Sequence, residues 1–118
     1  IFVPAVGDFR QGMIDCIPLH LDTLPGKPAP ADLEAVLSAR YAGSEYVHVV
    51  KADAKLEPQA LNNTNVLELR VHGNAARGQA ILTARYDNLG KGASGAAVQN
   101  IGLMLGVAVE TRLPQAAE

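Results

Sequence analysis

The stretch LELRVHGNAARGQAILTARY, from Leu67 to Tyr86, decides the fold. Leu67, Leu69 and Val71 alternate with Glu68, Arg70 and His72. That is the two-residue period of a strand with one face toward a core and the other toward water. His72 reads as a solvated member of the polar face, beside Glu68 and Arg70. Residues 73–78 carry turn signals, and residues 79–86 return as a second strand, so the stretch predicts an antiparallel hairpin.

Working outward from the hairpin, residues 12–21 (GMIDCIPLHL) are apolar at both alternating sets of positions, which predicts a strand covered on both faces. Pro18 lacks an N–H, so this strand belongs at a sheet edge or a bulge. Residues 24–30 (LPGKPAP) form a turn-rich loop. Pro30 opens a helix through about Ala42. Asp32 and Glu34 suit its first turn, Leu33, Val36, Leu37 and Tyr41 form its apolar stripe, and Gly43 stops it. Residues 45–50 (EYVHVV) predict another strand, and residues 51–65 a polar loop ending in Asn62-Asn63-Thr64-Asn65. Beyond the hairpin, Ala97, Val98, Ile101, Met104 and Leu105 mark one face of a second helix that Gly106 ends. Residues 111–118 read as a frayed tail.

The sum is an α+β domain: an antiparallel or mixed sheet, one covering helix and one closing helix. The expected division is a sheet domain over residues 1–87, a closing helix segment over 88–106 and a tail over 107–118.

Composition narrows the function. The chain has 118 residues, 48% of them hydrophobic and 19% charged, with a net charge of −2. Nothing there draws it broadly to nucleic acid or to an anionic membrane, and no apolar run is long enough to span a bilayer. A single cysteine cannot form an internal disulfide, which points to a reducing compartment, the cytoplasm. The opening Ile-Phe-Val-Pro, with no initiator Met, reads as the inside of an extended segment, so a piece of a longer protein is expected. His20, His48 and His72 fall on separate strands without metal-ligand spacing, and no metal is expected.

One motif carries chemistry. Residues 87–100, DNLGKGASGAAVQN, contain G-x-G-x-x-G. A dinucleotide fingerprint needs a strand before it, a helix after it and an acidic residue about 20 positions on, within a parallel sheet. Residues 107–109 followed by Glu110 imitate the last requirement. The strand before the glycines, however, pairs antiparallel, and no further strands follow to build a nucleotide-binding sheet. The small residues from Gly92 to Ala97 instead let another group approach the first helical turn closely. That group is either an anionic ligand or a packed neighbouring domain. Lys91 opposes the helix dipole there unless a negative group sits nearby.

The longer stretch DNLGKGASGAAVQNIGLMLG resembles the C-terminal signature of the N-acetyl-γ-glutamyl-phosphate reductases. FVPAVGDFRQGMIDCIPLHL, ADLEAVLSARYAGSEYVHVV and LNNTNVLELRV are similar to successive segments of that family's substrate domain, so the likeness covers essentially the whole chain. FRQGM and NNTN are more similar to its shorter bacterial subtype. The resemblance implies a two-domain enzyme of the semialdehyde dehydrogenase superfamily, with a Rossmann domain that binds NADP and a substrate and dimerisation domain. The present chain would be part of the latter. Its partners would be the missing NADP-binding domain, a small-molecule substrate and further copies in a homodimer or homotetramer.

The family's nucleophilic cysteine lies in a Pro-Gly-Cys-Tyr-like turn and its histidine in a Lys-His-x-Pro-Glu-like segment. Neither occurs here, so no catalytic residue is assigned and the isolated chain is expected to be inactive. Cys16, in IDCIPLH, reads as a small packed hydrophobe instead.

In the wider superfamily that includes glyceraldehyde-3-phosphate dehydrogenase, a Tyr-Asp-Asn stretch positions the nicotinamide carboxamide. That resemblance implies a cofactor contact for Asn88, beside the reading of Asn88 as a turn residue capping the helix. It implies that Gly90, Lys91, Gly92, Ala93, Ser94 and Gly95 approach the cofactor, beside plain interdomain packing. Arg10 is the candidate for gripping the substrate's carboxylate or phosphate, beside a surface arginine at a strand start. Asn65 is a candidate for shaping the pocket, beside loop capping, and Asn100 shares the closing helix. Aspartate-semialdehyde dehydrogenase has the same architecture but fits GKGASGAAVQN less well. A non-catalytic interaction domain of the same fold is the alternative outside enzymes.

Overall fold

The structure is a computed structural model that describes residues 3–53 and 55–108. Strand β1 (Met13–His20), helix α1 (Pro30–Arg40), strands β2 (Val47–Val49), β3 (Leu67–Asn74) and β4 (Gln79–Tyr86), and helix α2 (Gly95–Leu105) follow in chain order. The four strands form one mixed sheet in the order β1-β4-β3-β2. β4 runs antiparallel to β1 and β3, and β2 runs parallel to β3. The predicted hairpin is present, with Leu67 opposite Tyr86 and Asn74 opposite Gln79. Its turn is a short 3₁₀ segment, Ala75–Arg77, closed by Gly78 in the left-handed region at φ 56°.

α1 sits on the sheet face that carries Leu19, Val71, Ala80 and Leu82. The small core there consists of Leu21, Val71 and Ala80, with Leu33 and Leu37 packed on it from the helix side. Gly73 faces the start of α1, where any Cβ would run into the Pro30 ring. Asp32 accepts the N–H of Ala29 at 2.8 Å and fixes the helix entry. Val36, expected in the apolar stripe, is 66% exposed and points away from the sheet. Leu33 and Leu37 are the residues by which the helix packs on the core.

Three further expectations are corrected. β1 is an edge strand among the described residues, as Pro18 suggested, but it is not covered on both faces: Ile17 is 53% exposed and Cys16 is exposed, not packed. The polar face is not solvated throughout. Glu68 pairs with both Arg85 and Arg70, the latter at 2.8 Å, and Arg70 is only 7% exposed. Arg70 Nε and Nη1 find no acceptor among the described residues. His72 is half-buried, with Nε2 3.3 Å from Thr83 Oγ1. Finally, Val107 and Ala108 form no strand, and residues 109–118, including Val109 and Glu110, lie outside the described residues.

α2 ends as predicted at Gly106, in the left-handed region at φ 66°. Its apolar face has no cover among the described residues: Ile101, Met104 and Leu105 all stand exposed, and Gly95 and Gly102 are the buried positions.

Candidate functional site

The site is a knot where three segments meet: the entry to β1, the asparagine-rich loop before β3, and the exit from β4. Asp87 lies at its centre and is 1% exposed. Its Oδ2 accepts the Asn63 N–H at 2.7 Å and the Gln11 side-chain amide at 3.1 Å, and its Oδ1 accepts the Leu89 N–H at 2.9 Å. Gln11 also donates to Asn63 Oδ1 at 3.0 Å, and the Asn62 side chain donates to the Gln11 carbonyl at 3.3 Å. Asn63 takes φ 61°, a conformation asparagine tolerates better than most residues. Gly12 takes φ 112°, and a Cβ there would stand 2.5 Å from the Pro58 carbonyl oxygen. A buried carboxylate with two backbone N–H partners is well compensated for its lost hydration, so Asp87 acts as the pin of the knot.

The carbonyl of Asp87 accepts the Gly92 N–H at 2.8 Å, and the Leu89 carbonyl accepts the Ser94 N–H at 3.2 Å. These five-residue spacings make Gly90–Ser94 a single π-helical turn leading into α2. The glycines answer to neighbours within the chain. A Cβ at 92 would press on the Tyr86 ring, and a Cβ at 95 would overlap Asn65 Oδ1. Gly90 and Gly95 are buried, whereas Gly92, Ala93 and Ser94 are exposed at the tip. Lys91 avoids the positive end of α2 by folding back: its Nζ reaches Gln99 Oε1 at 3.3 Å and lies 5.5 Å from the centre of the Tyr46 ring. No carboxylate is needed there.

The structure brings Asn88, Gly90, Lys91, Gly92, Ala93, Ser94, Gly95 and Asn65 into one region. Asn88 does not cap the helix; its Oδ1 accepts the Gly12 N–H at 2.8 Å. A backbone N–H can only donate, so the amide orientation is fixed, with its oxygen turned to Gly12. Asn65 is buried against Gly95. Arg10 stands exposed next to Gln11, at the rim. Tyr86 donates its hydroxyl to Asp15 Oδ2 at 2.7 Å, with Met13 Sδ beside it at 2.9 Å. Burial first, then the hydrogen bond and charge of Asp15, push the phenol up to about 12. Sequence reasoning missed Asp87, Gln11 and Asn63 as partners, because their link spans up to 76 positions and leaves no local periodicity. Among the described residues, no group of three His, Cys, Asp or Glu side chains converges as a metal site would.

A mixed sheet with one helix-covered face, followed by a closing helix whose apolar face has no cover among the described residues, defines the class: an α+β sheet domain. The domain family described as semialdehyde dehydrogenase, dimerisation domain, matches residues 1–88, and the chain belongs to that family. It is 49% identical over 111 residues to N-acetyl-gamma-glutamyl-phosphate reductase 2 of Pseudomonas putida, which covers 90% of this chain and 36% of that protein. It is 54% identical over 110 residues to N-acetyl-gamma-glutamyl-phosphate reductase of Burkholderia cenocepacia, covering 89% of this chain and 35% of that protein. A Nostoc protein named N-acetyl-gamma-glutamyl-phosphate reductase 2 is 43% identical over 121 residues, covering 96% of this chain and 38% of its own. The chain thus spans little more than a third of the length of these curated relatives.

Proposed function

We propose that this chain is the substrate and dimerisation portion of a cytoplasmic, NADP-dependent reductase that converts N-acetyl-glutamyl 5-phosphate to N-acetyl-glutamate 5-semialdehyde in arginine biosynthesis. The observation that carries this reading is the identity of about half the residues to reductases so named, over nine-tenths of the chain. In that reaction a cysteine thiolate would displace phosphate from the acyl phosphate, and NADPH, when bound, would supply the hydride that converts the resulting thioester to the aldehyde with release of the thiolate. The nucleophile, the acid–base histidine and most of the NADP site belong to the two-thirds of the relatives that this chain does not span.

The chain's own part is to hold and orient. Asn88 offers its Nδ2 to the nicotinamide carboxamide, with the exposed backbone of Gly92, Ala93 and Ser94 beside it. Gly90 and Gly95 let the π-turn close, and Lys91 latches the root of α2 to Tyr46. Arg10 reaches for the substrate's carboxylate or phosphate, and Asn65 supports the turn from below. α2 turns its bare apolar face to the nucleotide domain, which excludes water from it. The sheet domain pairs with further copies in a homodimer or homotetramer.

The test is an NADPH-oxidation assay with N-acetyl-glutamyl 5-phosphate. A full-length polypeptide carrying this segment turns over, and the 118-residue chain alone does not. Absence of turnover by the full-length polypeptide would remove the reading.

A further inference from the structure

Tyr86 ends β4 and stands between Met13 on β1 and Leu67 on β3. Alternation along the strands puts its side chain on the α1 face, together with those of Met13 and Asp15. Asp15 lies two positions along β1 from Met13, on the diagonal that a long aromatic side chain reaches. Its Oδ2 accepts the Tyr86 hydroxyl at 2.7 Å, which fixes the far end of the ring. The main chain fixes the near end. The next residue is the buried Asp87, whose carboxylate pins the knot and whose carbonyl accepts the Gly92 N–H at 2.8 Å. The ring is thus held at both ends.

The same ring carries the π-turn. A Cβ at 92 would stand 2.8 Å from Tyr86 Cε2 and 3.2 Å from Cδ2, so the main chain of Gly92 rests against the ring with no room between them. A free ring would swing aside from such a contact, but the Asp15 hydrogen bond opposes that motion. The phenol, pushed up to about 12 by burial and then by Asp15, keeps its proton at neutral pH and goes on donating. α2 makes its main contact with the π-turn and none of like extent with any strand. The direction of α2 therefore follows the turn, and the turn follows the ring.

We infer that Tyr86, braced by Asp15, is a positioning residue: a strut that sets the height of the turn's tip at residues 92–94, and with it the direction of α2. This rests on the reading above that the tip meets the cofactor. Residues 92–94 are exposed and carry no side chain longer than that of serine, which leaves their main chain open to a flat ring.

Two measurements test the strut. The first is a double-mutant cycle by urea unfolding of the 118-residue chain, with Gly92→Ala, Asp15→Ala and both together. The helix preference of alanine over glycine enters both arms and cancels. Gly92→Ala should lower the folding equilibrium constant about fivefold more in the wild-type background than beside Asp15→Ala, where the ring is free to give way. Additive losses overturn the inference. The second is equilibrium titration of the full-length polypeptide with NADPH, without substrate, read by the fluorescence of the dinucleotide. Asp15→Ala should weaken binding about threefold or more, and Asp15→Asn, which keeps an acceptor for the hydroxyl, should restore most of it. Affinity that Asp15→Ala leaves untouched while Asn88→Ala lowers it overturns the positioning role and leaves the cofactor reading standing. Affinity untouched by either variant removes the cofactor reading of the tip and the inference together.

Discussion

The main-chain N–H of Gly12 donates to the side-chain oxygen of Asn88 across 2.8 Å, joining the entry of β1 to the exit of β4. One amide therefore carries two roles to separate: its oxygen ties the fold together, and its nitrogen is the proposed contact to the cofactor. Two substitutions separate these jobs. Asn88→Ala removes the acceptor and costs the chain about 1 kcal/mol of unfolding free energy. Asn88→Asp keeps an oxygen for Gly12 and costs less than that in urea titrations. In the full-length reductase, both variants raise the KM for NADPH about tenfold or more, since neither offers the donor. Equal stability losses for Ala and Asp would show that the Gly12 contact does not hold the knot.

The root of α2 is a packing constraint. Gly95 faces the buried Asn65, and a methyl at 95 would overlap its Oδ1 and stand 3.1 Å from the Gly90 carbonyl oxygen. Gly95→Ala is expected to destabilise the chain by about 1–3 kcal/mol, the range for overpacking a closed site. Truncating the neighbour opens room, so Asn65→Ala combined with Gly95→Ala should lose clearly less than the sum of the two single changes. Gly26→Ala is the control: its Cβ meets nothing within 4 Å, and its only strain is φ +76°. Additive losses in the double variant would mean that Gly95 serves some partner other than Asn65.

The hairpin was legible in the sequence because its pattern is local. Alternation from Leu67 to His72, glycines at 73 and 78 and the return to Tyr86 define strand, turn and strand without reference to anything else. The glycine motif was legible as a place of close approach, but not as to what approaches. The neighbours proved to be Tyr86 and Asn65, one six positions upstream and the other thirty. Glu68, Arg70 and His72 read as a wet face because alternation tells two faces apart and not how each is covered. The Arg85 contact with the Glu57 carbonyl, 28 positions away, is a tertiary fact. Cys16 was misread for the same reason: an apolar run puts a residue on a strand but does not say whether its face is covered, and Cys16 stands exposed.

Glu68 gives the ion cluster a pH signature. Burial raises its carboxyl, but hydrogen bonds from Arg85 and Arg70, with the charges of both, outweigh that and hold it below its ordinary value of 4.5. A carboxyl depressed on folding binds fewer protons than it does in the unfolded chain, so stability rises with pH through this range. The contribution is complete above the unfolded value and is lost as pH falls through the folded one. Glu68→Gln should therefore cost roughly 1–3 kcal/mol at about pH 7, where the charged, hydrogen-bonded partner of the buried Arg70 is replaced by a neutral one. The gap between wild type and variant should stay level down to about pH 5 and then narrow as the wild-type carboxyl is protonated. Urea midpoints measured for both proteins along that series read the gap directly. A gap that widens on acidification would mean that Glu68 is held protonated by its burial and that the two arginines do not govern it.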